Sequence, residues 1–226
     1  MRAVIFDLFE TLVTEWGRPK YTTREIADDL DVEYQSFRRE LGLLRNDRYL
    51  GKLRGTVQAY KTVLGNLGIS RGETLLNEIV RKRDECKRKC FEAIAPEIIE
   101  MLSSLRDSGC KIALISNCST EEIAGLRECA LYPYFDAAVL SCDVGLVKPD
   151  AGIYEHCLSL LKEEPSNCFY VGDGGSDELS GAQKAGMTPL KALWFIKHYV
   201  KEYDADQKYL AFLEPSVLTE FVRSYT

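Results

Sequence analysis

Histidine occurs only twice in the 226 residues, and no two cysteines are spaced CxxC. Cys86 and Cys90 are four apart and would share a helix face. No histidine or second pair lies near enough to complete a zinc set with them. No apolar run approaches the roughly 20 residues that a membrane helix needs, so no membrane partner is expected. The first apolar stretch, Ala3-Val4-Ile5-Phe6, is cut short by Asp7. A signal peptide is therefore not expected either. Base is in deficit, with 29 Lys+Arg against 35 Asp+Glu for a net charge of −6. That argues against a dedicated nucleic-acid binder. What remains is an ordinary globular balance, 46% hydrophobic and 28% charged, in a chain long enough to bury a substantial core. The eight cysteines read as reduced, mostly buried thiols of a cytoplasmic protein.

Ala3–Phe6 is short, apolar and β-branched, as a buried strand is. Four further runs read the same way: Lys111–Ser116, Ala137–Ser141, Cys168–Val171 and about Pro189–Trp194. Between them lie helical stretches. One is opened by Pro96 and stopped by Gly109. One is predicted over Ser119–Ala130, where Ser119 and Glu122 could form a capping box. The others run from Gly152 to Leu161 and from about Ser176 to Ala185, the last closed by Gly186. Such alternation predicts an α/β fold, a Rossmann-like parallel sheet with helices on both faces. Residues 15–96 differ. Val57, Tyr60, Val63, Leu64 and Leu67 keep helical spacing, Leu75, Leu76, Ile79 and Val80 begin another helix, and no comparable strand appears. This reads as an inserted all-helical domain, with 1–14 and 97–226 forming the α/β core.

In open parallel sheets the ligand crevice lies beyond the carboxyl ends of the strands. Asp7 stands there after the first strand, Ser116 and Asn117 at the second, Lys148 after the third, and Asp173 with Asp177 after the fourth. Three carboxylates in one place repel one another unless a cation sits among them. Lys148 supplies one positive charge. A hard divalent ion with oxygen ligands supplies the rest, and Mg²⁺ suits one or two carboxylates plus a substrate phosphate. The pattern points to an acidic metal site for an anionic, phosphorylated substrate.

The residues at that edge resemble the four motifs of the haloacid dehalogenase-like superfamily. Phe6-Asp7-Leu8-Phe9-Glu10-Thr11-Leu12 resembles the first, and Leu114-Ile115-Ser116-Asn117 the second. Gly145-Leu146-Val147-Lys148-Pro149-Asp150 resembles the third. The fourth is matched by Val171-Gly172-Asp173-Gly174-Gly175-Ser176-Asp177 with Gly181-Ala182 and Ala185-Gly186-Met187. The helical insert resembles the cap of the subgroup with an early insertion. The resemblance implies that Asp7 is a nucleophile forming an aspartyl-phosphate. It implies that Ser116 and the Asn117 backbone hold the transferring oxygens, and that Lys148 neutralises charge. Asp7, the Phe9 carbonyl, Asp173 and Asp177 are the implied Mg²⁺ ligands, Asp177 directly or through water. The implied substrate is a small phosphorylated metabolite.

One position departs. Phosphatases of the family carry a second aspartate two residues after the nucleophile to protonate the leaving oxygen, and here that position is Phe9. Glu10 is adjacent, but a neighbour in extended chain points elsewhere. Dehalogenases also lack that aspartate, and a departing halide needs no proton. They also lack the metal aspartate of the fourth motif, however, and this chain keeps Asp173 and Asp177. Two alternatives therefore stand beside a Mg²⁺-dependent phosphatase: a metal-free 2-haloacid dehalogenase, and a non-catalytic phosphate-ligand binding or regulatory protein. In the dehalogenase reading Arg38 could hold a substrate carboxylate, but with Arg39, Arg45 and Arg48 around it the group reads as a solvated helix face. So does the run Arg81–Lys89, which has six bases and two acids. His156 and His198 stand apart from the motifs. Trp16 and Tyr21 are candidates for the cap-side pocket wall, and Trp194, Phe195 and Tyr199 for a packing face. A monomer or homodimer is expected.

Overall fold

The computed structural model describes residues 3–198 and 208–225. Six strands form one sheet: β1 (Ala3–Phe6), β2 (Lys111–Ser116), β3 (Ala137–Leu140), β4 (Cys168–Gly172), β5 (Thr188–Ala192) and β6 (Leu210–Phe212). Their order is β3-β2-β1-β4-β5-β6, and every neighbouring pair is parallel. β1 lies in the middle and is buried throughout, so all four of its side chains are apolar. They alternate between two cores. Val4 and Phe6 pack into one with α6 (Pro96–Asp107) and α10 (Pro215–Arg223). Ala3 and Ile5 pack into the other with α8 (Ala151–Leu161) and α9 (Glu178–Lys184). This is the α/β sheet covered on both faces.

The stretch between β1 and α6 is helical: α1 (Thr23–Asp29), α2 (Tyr34–Leu43), α3 (Arg45–Tyr49), α4 (Thr56–Asn66) and α5 (Glu73–Glu92). It carries its own apolar cluster, built from Ile26, Leu30, Phe37, Tyr60, Leu64 and Ile79 among others. Thr22 and Glu25 close a reciprocal capping box on α1.

The helix expected over Ser119–Ala130 does not form. Its opening contact is present, because Glu122 Oε2 accepts from Ser119 N at 2.8 Å and Ser119 Oγ at 3.0 Å. The chain then makes turns and a single 3₁₀ turn at Leu126–Glu128. Gly125 takes φ +98°, outside the helical region, and Glu121 is drawn into a buried ion pair with Arg48 of α3. Tertiary pairing outweighs local propensity here. β6, α10 and the short α7 (Ser141–Val144) are additional to the expected elements. Seven of the eight cysteines are buried, Cys86 is half-buried, and all are free thiols. Trp194 is buried, donating Nε1–H to the Thr11 carbonyl at 2.8 Å. Tyr199 and the side chain of His198 lie outside the described residues. Among the described residues no helix is long and apolar enough to cross a membrane.

Candidate active site

The parallel sheet brings β1, β2 and β4 to one edge in register, and the side chains beyond their carboxyl ends converge there. Asp7 follows β1 directly, and its N–H donates to the Val171 carbonyl at 2.8 Å. Ser116 ends β2, and Asp173 follows β4. Lys148 reaches in from the loop before α8. Its Nζ donates to Asp7 Oδ1 at 2.5 Å, to Tyr170 Oη at 3.2 Å and to Glu178 Oε2. Burial works against the Lys148 charge, but Asp7 and Glu178 outweigh it and hold the ammonium well above the ordinary lysine range. Asn117 fixes that loop. Its Nδ2 donates to the Lys148 carbonyl and its Oδ1 accepts from Lys148 N, both at 2.8 Å.

Carboxylate oxygens of Asp7, Asp173 and Glu178 lie within 4.8 Å of one another. Burial, and then Asp7, raises the Asp173 carboxyl above its usual value. The same two causes push Glu178 up to about 8. One lysine among three crowded acids leaves excess negative charge, and an all-oxygen anionic donor set is what a hard divalent ion takes. Asp7, Asp173 and Glu178 can therefore hold such an ion. Beside them Ser116 Oγ is buried with no hydrogen-bond partner among the described residues. A buried hydroxyl without a partner is costly and fits a site that receives an oxyanion. These groups line a cleft of about 310 Å³.

The family described as haloacid dehalogenase-like hydrolase matches residues 1–186. The chain belongs to that family. Among curated relatives, the N-acylneuraminate-9-phosphatase of Homo sapiens is 26% identical over 213 residues, covering 88% of this chain and 84% of the relative. The phosphoglycolate phosphatase of Aquifex aeolicus is 28% identical over 201 residues, covering 86% and 85%. Among solved structures, the 2-haloacid dehalogenase of Pseudomonas syringae pv. Tomato superposes over 100% of both chains with TM-score 0.73 and 23% identity. The phosphatase of Thermococcus onnurineus covers 98% of both chains, with TM-score 0.64 and 20% identity. At such identities the structures show a shared fold.

This hydrolase of the family thus brings Asp7, Ser116, Asn117, Lys148 and Asp173 together, with Phe9 on the same cleft wall. Asp177 stays outside the carboxylate cluster. It and Ser176 both take positive φ, the side chain is exposed, and the next residue, Glu178, turns inward as α9 begins. The sequence did not single out Glu178. A Cβ on Gly172 would stand 2.0 Å from Glu178 Oε1, so only glycine lets that carboxylate approach the strand. Lys87 was likewise hidden within a basic run. It is 7% exposed rather than solvated, pairs with Glu15 at 2.5 Å and stands 5.9 Å from the centre of the Phe9 ring. Glu10 accepts from Thr14 Oγ1 at 2.5 Å and Glu15 N at 3.0 Å. Burial is the main reason that its carboxyl is raised. The helical stretch adds Tyr49 to the same cleft. Tyr21 lines a neighbouring cleft behind the Glu15–Lys87 pair, and Trp16 is 41% exposed with Lys20 over its ring.

Proposed function

We propose that the chain is a Mg²⁺-dependent phosphatase of small phosphorylated metabolites, with residues 15–96 as a cap over a core of 1–14 and 97–226. The observation that carries this reading is the crowding of Asp7, Asp173 and Glu178 beside the unpartnered Ser116 hydroxyl. Six carboxylates and two lysines line the cleft, so a phosphate would be repelled without a cation. Asp7, Asp173, Glu178 and the Phe9 carbonyl would hold Mg²⁺, which supplies charge neutralisation between Asp7 and the phosphoryl oxygens.

The protein's own groups do the rest. Asp7 would attack phosphorus through its carboxylate, and an aspartyl-phosphate forms as the ester oxygen leaves with the bonding electrons. Ser116 Oγ donates a hydrogen bond to a phosphoryl oxygen. Lys148 stands 2.5 Å from Asp7 and offsets the charge gathering between nucleophile and phosphoryl group. Asn117 keeps Lys148 in place through its paired main-chain bonds. Water then cleaves the aspartyl-phosphate to regenerate Asp7. Phe9 offers no proton to the leaving oxygen, so substrates with good leaving groups turn over fastest. The fold similarity to a 2-haloacid dehalogenase and the apolar Phe9 favour a second reading, displacement of halide from carbon by Asp7. Turnover of p-nitrophenyl phosphate with and without Mg²⁺, beside halide release from 2-haloacids, decides. Mg²⁺-dependent phosphate release supports the phosphatase. Metal-independent halide release overturns it.

A further inference from the structure

The phosphatase reading leaves the departing ester oxygen in need of a proton that Phe9 does not carry. Few groups on the cleft wall can supply it. The hydroxyls there belong to Tyr49, Ser116 and Ser176, and the ammonium groups to Lys87 and Lys148. Lys148 commits its three N–H bonds to Asp7, Tyr170 and Glu178. Ser116 is assigned to the phosphoryl oxygens. Ser176 is exposed on the left-handed turn after β4. Glu10 accepts hydrogen bonds at both oxygens, from Thr14 Oγ1 and Glu15 N. Burial pushes the Tyr49 hydroxyl up to about 12, and a neutral phenol brings no positive charge to a developing alkoxide. Lys87 remains.

Its surroundings suit the task. Among the described residues Glu15 is its one carboxylate partner, at 2.5 Å, and an ammonium has three N–H donors. Phe91 lies four residues on, on the same face of α5. It meets the Phe9 ring edge-on, with 6.4 Å between centroids. That contact sets α5 against the nucleophile loop and holds the Lys87 ammonium 5.9 Å from the centre of the Phe9 ring. Glu10 fixes the turn that carries the Glu15 carboxylate. The ammonium thus stands over the residue two places from Asp7.

We propose that Lys87 is a catalytic residue, the donor that protonates the leaving oxygen where Phe9 cannot. This rests on the phosphatase reading. As Asp7 bonds to phosphorus, the ester P–O bond breaks and its electron pair stays on the departing oxygen. A proton passes from Lys87 Nζ to that oxygen, which leaves an aspartyl-phosphate, a neutral alcohol and a neutral amine. An alkoxide is a far stronger base than an alkylamine, so the transfer runs downhill. In the second half, water attacks phosphorus and gives one proton to the amine. The bond from phosphorus to Asp7 breaks, its electrons return to the carboxylate, and the ammonium beside Glu15 is restored. Ester and water enter, and alcohol and phosphate leave. An ammonium is a weaker acid than a carboxyl group, so good leaving groups keep part of their advantage.

The test is the dependence on leaving group. kcat/KM is measured with Mg²⁺ for ethyl, phenyl and p-nitrophenyl phosphate on the wild type, K87M, K87R and Y49F. In K87M the ratio of ethyl to p-nitrophenyl phosphate should fall about 10²-fold, the lower end of general-acid help. A mere loss of packing or of binding would lower all three esters alike and leave the ratio in place. K87R keeps the charge, but a guanidinium does not part with its proton, so its ratio should fall with that of K87M. Y49F should keep the wild-type ratio. Where K87M folds poorly, E15Q/K87M, which leaves no carboxylate unpaired, carries the same comparison. A ratio that survives in K87M or K87R, or that is lost in Y49F instead, overturns the proposal, and Mg²⁺-dependent turnover in those same assays leaves the phosphatase reading standing. A wild type that cleaves none of the three esters with Mg²⁺ sinks the phosphatase reading itself, and the role of Lys87 with it.

Discussion

Phe9 separates two descriptions of the chemistry, because its side chain stands two residues from Asp7 and carries no proton. If proton supply to the leaving oxygen limits the rate, Phe9→Asp should raise turnover of alkyl phosphates. General-acid help is worth roughly 10²–10⁴-fold, and the lower end is expected where nothing else orients the new carboxyl. p-Nitrophenyl phosphate, whose leaving group needs little help, should change by less than about threefold. Initial rates on both substrates check this, and equal changes would show that the missing acid was not the limitation. Asp7→Asn keeps the size of the side chain but removes the nucleophile. It should abolish turnover of both substrates while the circular dichroism spectrum stays unchanged. Asp7, Ser116 and Asp173 were legible in the sequence because each stands at a strand end, where topology alone decides the meeting place, and Lys148, in the loop before α8, was legible through its place in the third motif. Glu178 and Lys87 were not. Glu178 reaches the cluster through a left-handed pair, Ser176 and Asp177, that shifts which residue faces inward. Lys87 differs from its basic neighbours only by its angle on α5, which the net charge of a run does not reveal.

Elements of the helical stretch are tied to the sheet through Glu121. This carboxylate is buried, accepts from Thr56 Oγ1 of α4 at 2.8 Å and pairs with Arg48 of α3 at 2.7 Å. Burial alone would raise its pKa, but Arg48, Arg83 and the Thr56 hydroxyl together hold it below the ordinary value of 4.5. Removing one member of a buried pair costs about 3 kcal/mol because the other charge is left unpaired. Glu121→Gln should therefore lower Tm by roughly 6–12 °C for a chain of this size. The pH dependence follows from the depressed carboxyl. The folded state binds fewer protons than the unfolded one, so the contribution is complete above about pH 4.5 and fades as acid protonates Glu121. The Tm gap between wild type and E121Q, measured by calorimetry, should be constant from pH 6 to 8 and shrink below about 4.5. A gap that widens in acid would refute the pairing. The same carboxylate explains why the Ser119–Ala130 helix was misread: a capping signal is local, and the ion pair that overrides it joins residues 73 positions apart. β6 and α10 escaped notice for another reason. A three-residue edge strand has too few positions to show a period. Leu218 and Val222 nevertheless carried an i, i+4 apolar pair that was there to be read.

For the molecule as a whole, the acidic cleft crowds negative charge, and under the proposed reading protons and Mg²⁺ compete for it. Glu178 is pushed up to about 8 by burial and by Asp7, so a proton held in the metal-free cluster at pH 7 is the expected state. Mg²⁺ favours the ionised ligands and should expel that proton. Titration calorimetry at pH 7 in two buffers of different ionisation enthalpy should therefore show release of up to one proton per ion bound. Affinity should climb with pH and level off above about pH 8, where the carboxyl is already ionised. Binding also stabilises the fold. At 100 times Kd the gain is about 2.7 kcal/mol, or roughly 5–11 °C in Tm, reversed by chelation. Asp173→Asn should remove most of this gain, while Asp177→Asn, at the exposed position outside the cluster, should keep it. The two variants differ only in which acid of the β4–α9 loop is lost, so their comparison tests the ligand set apart from the overall charge. A Tm gain that survives in D173N and vanishes in D177N would place the ion elsewhere on that loop and return Glu178 to a purely structural partner of Lys148.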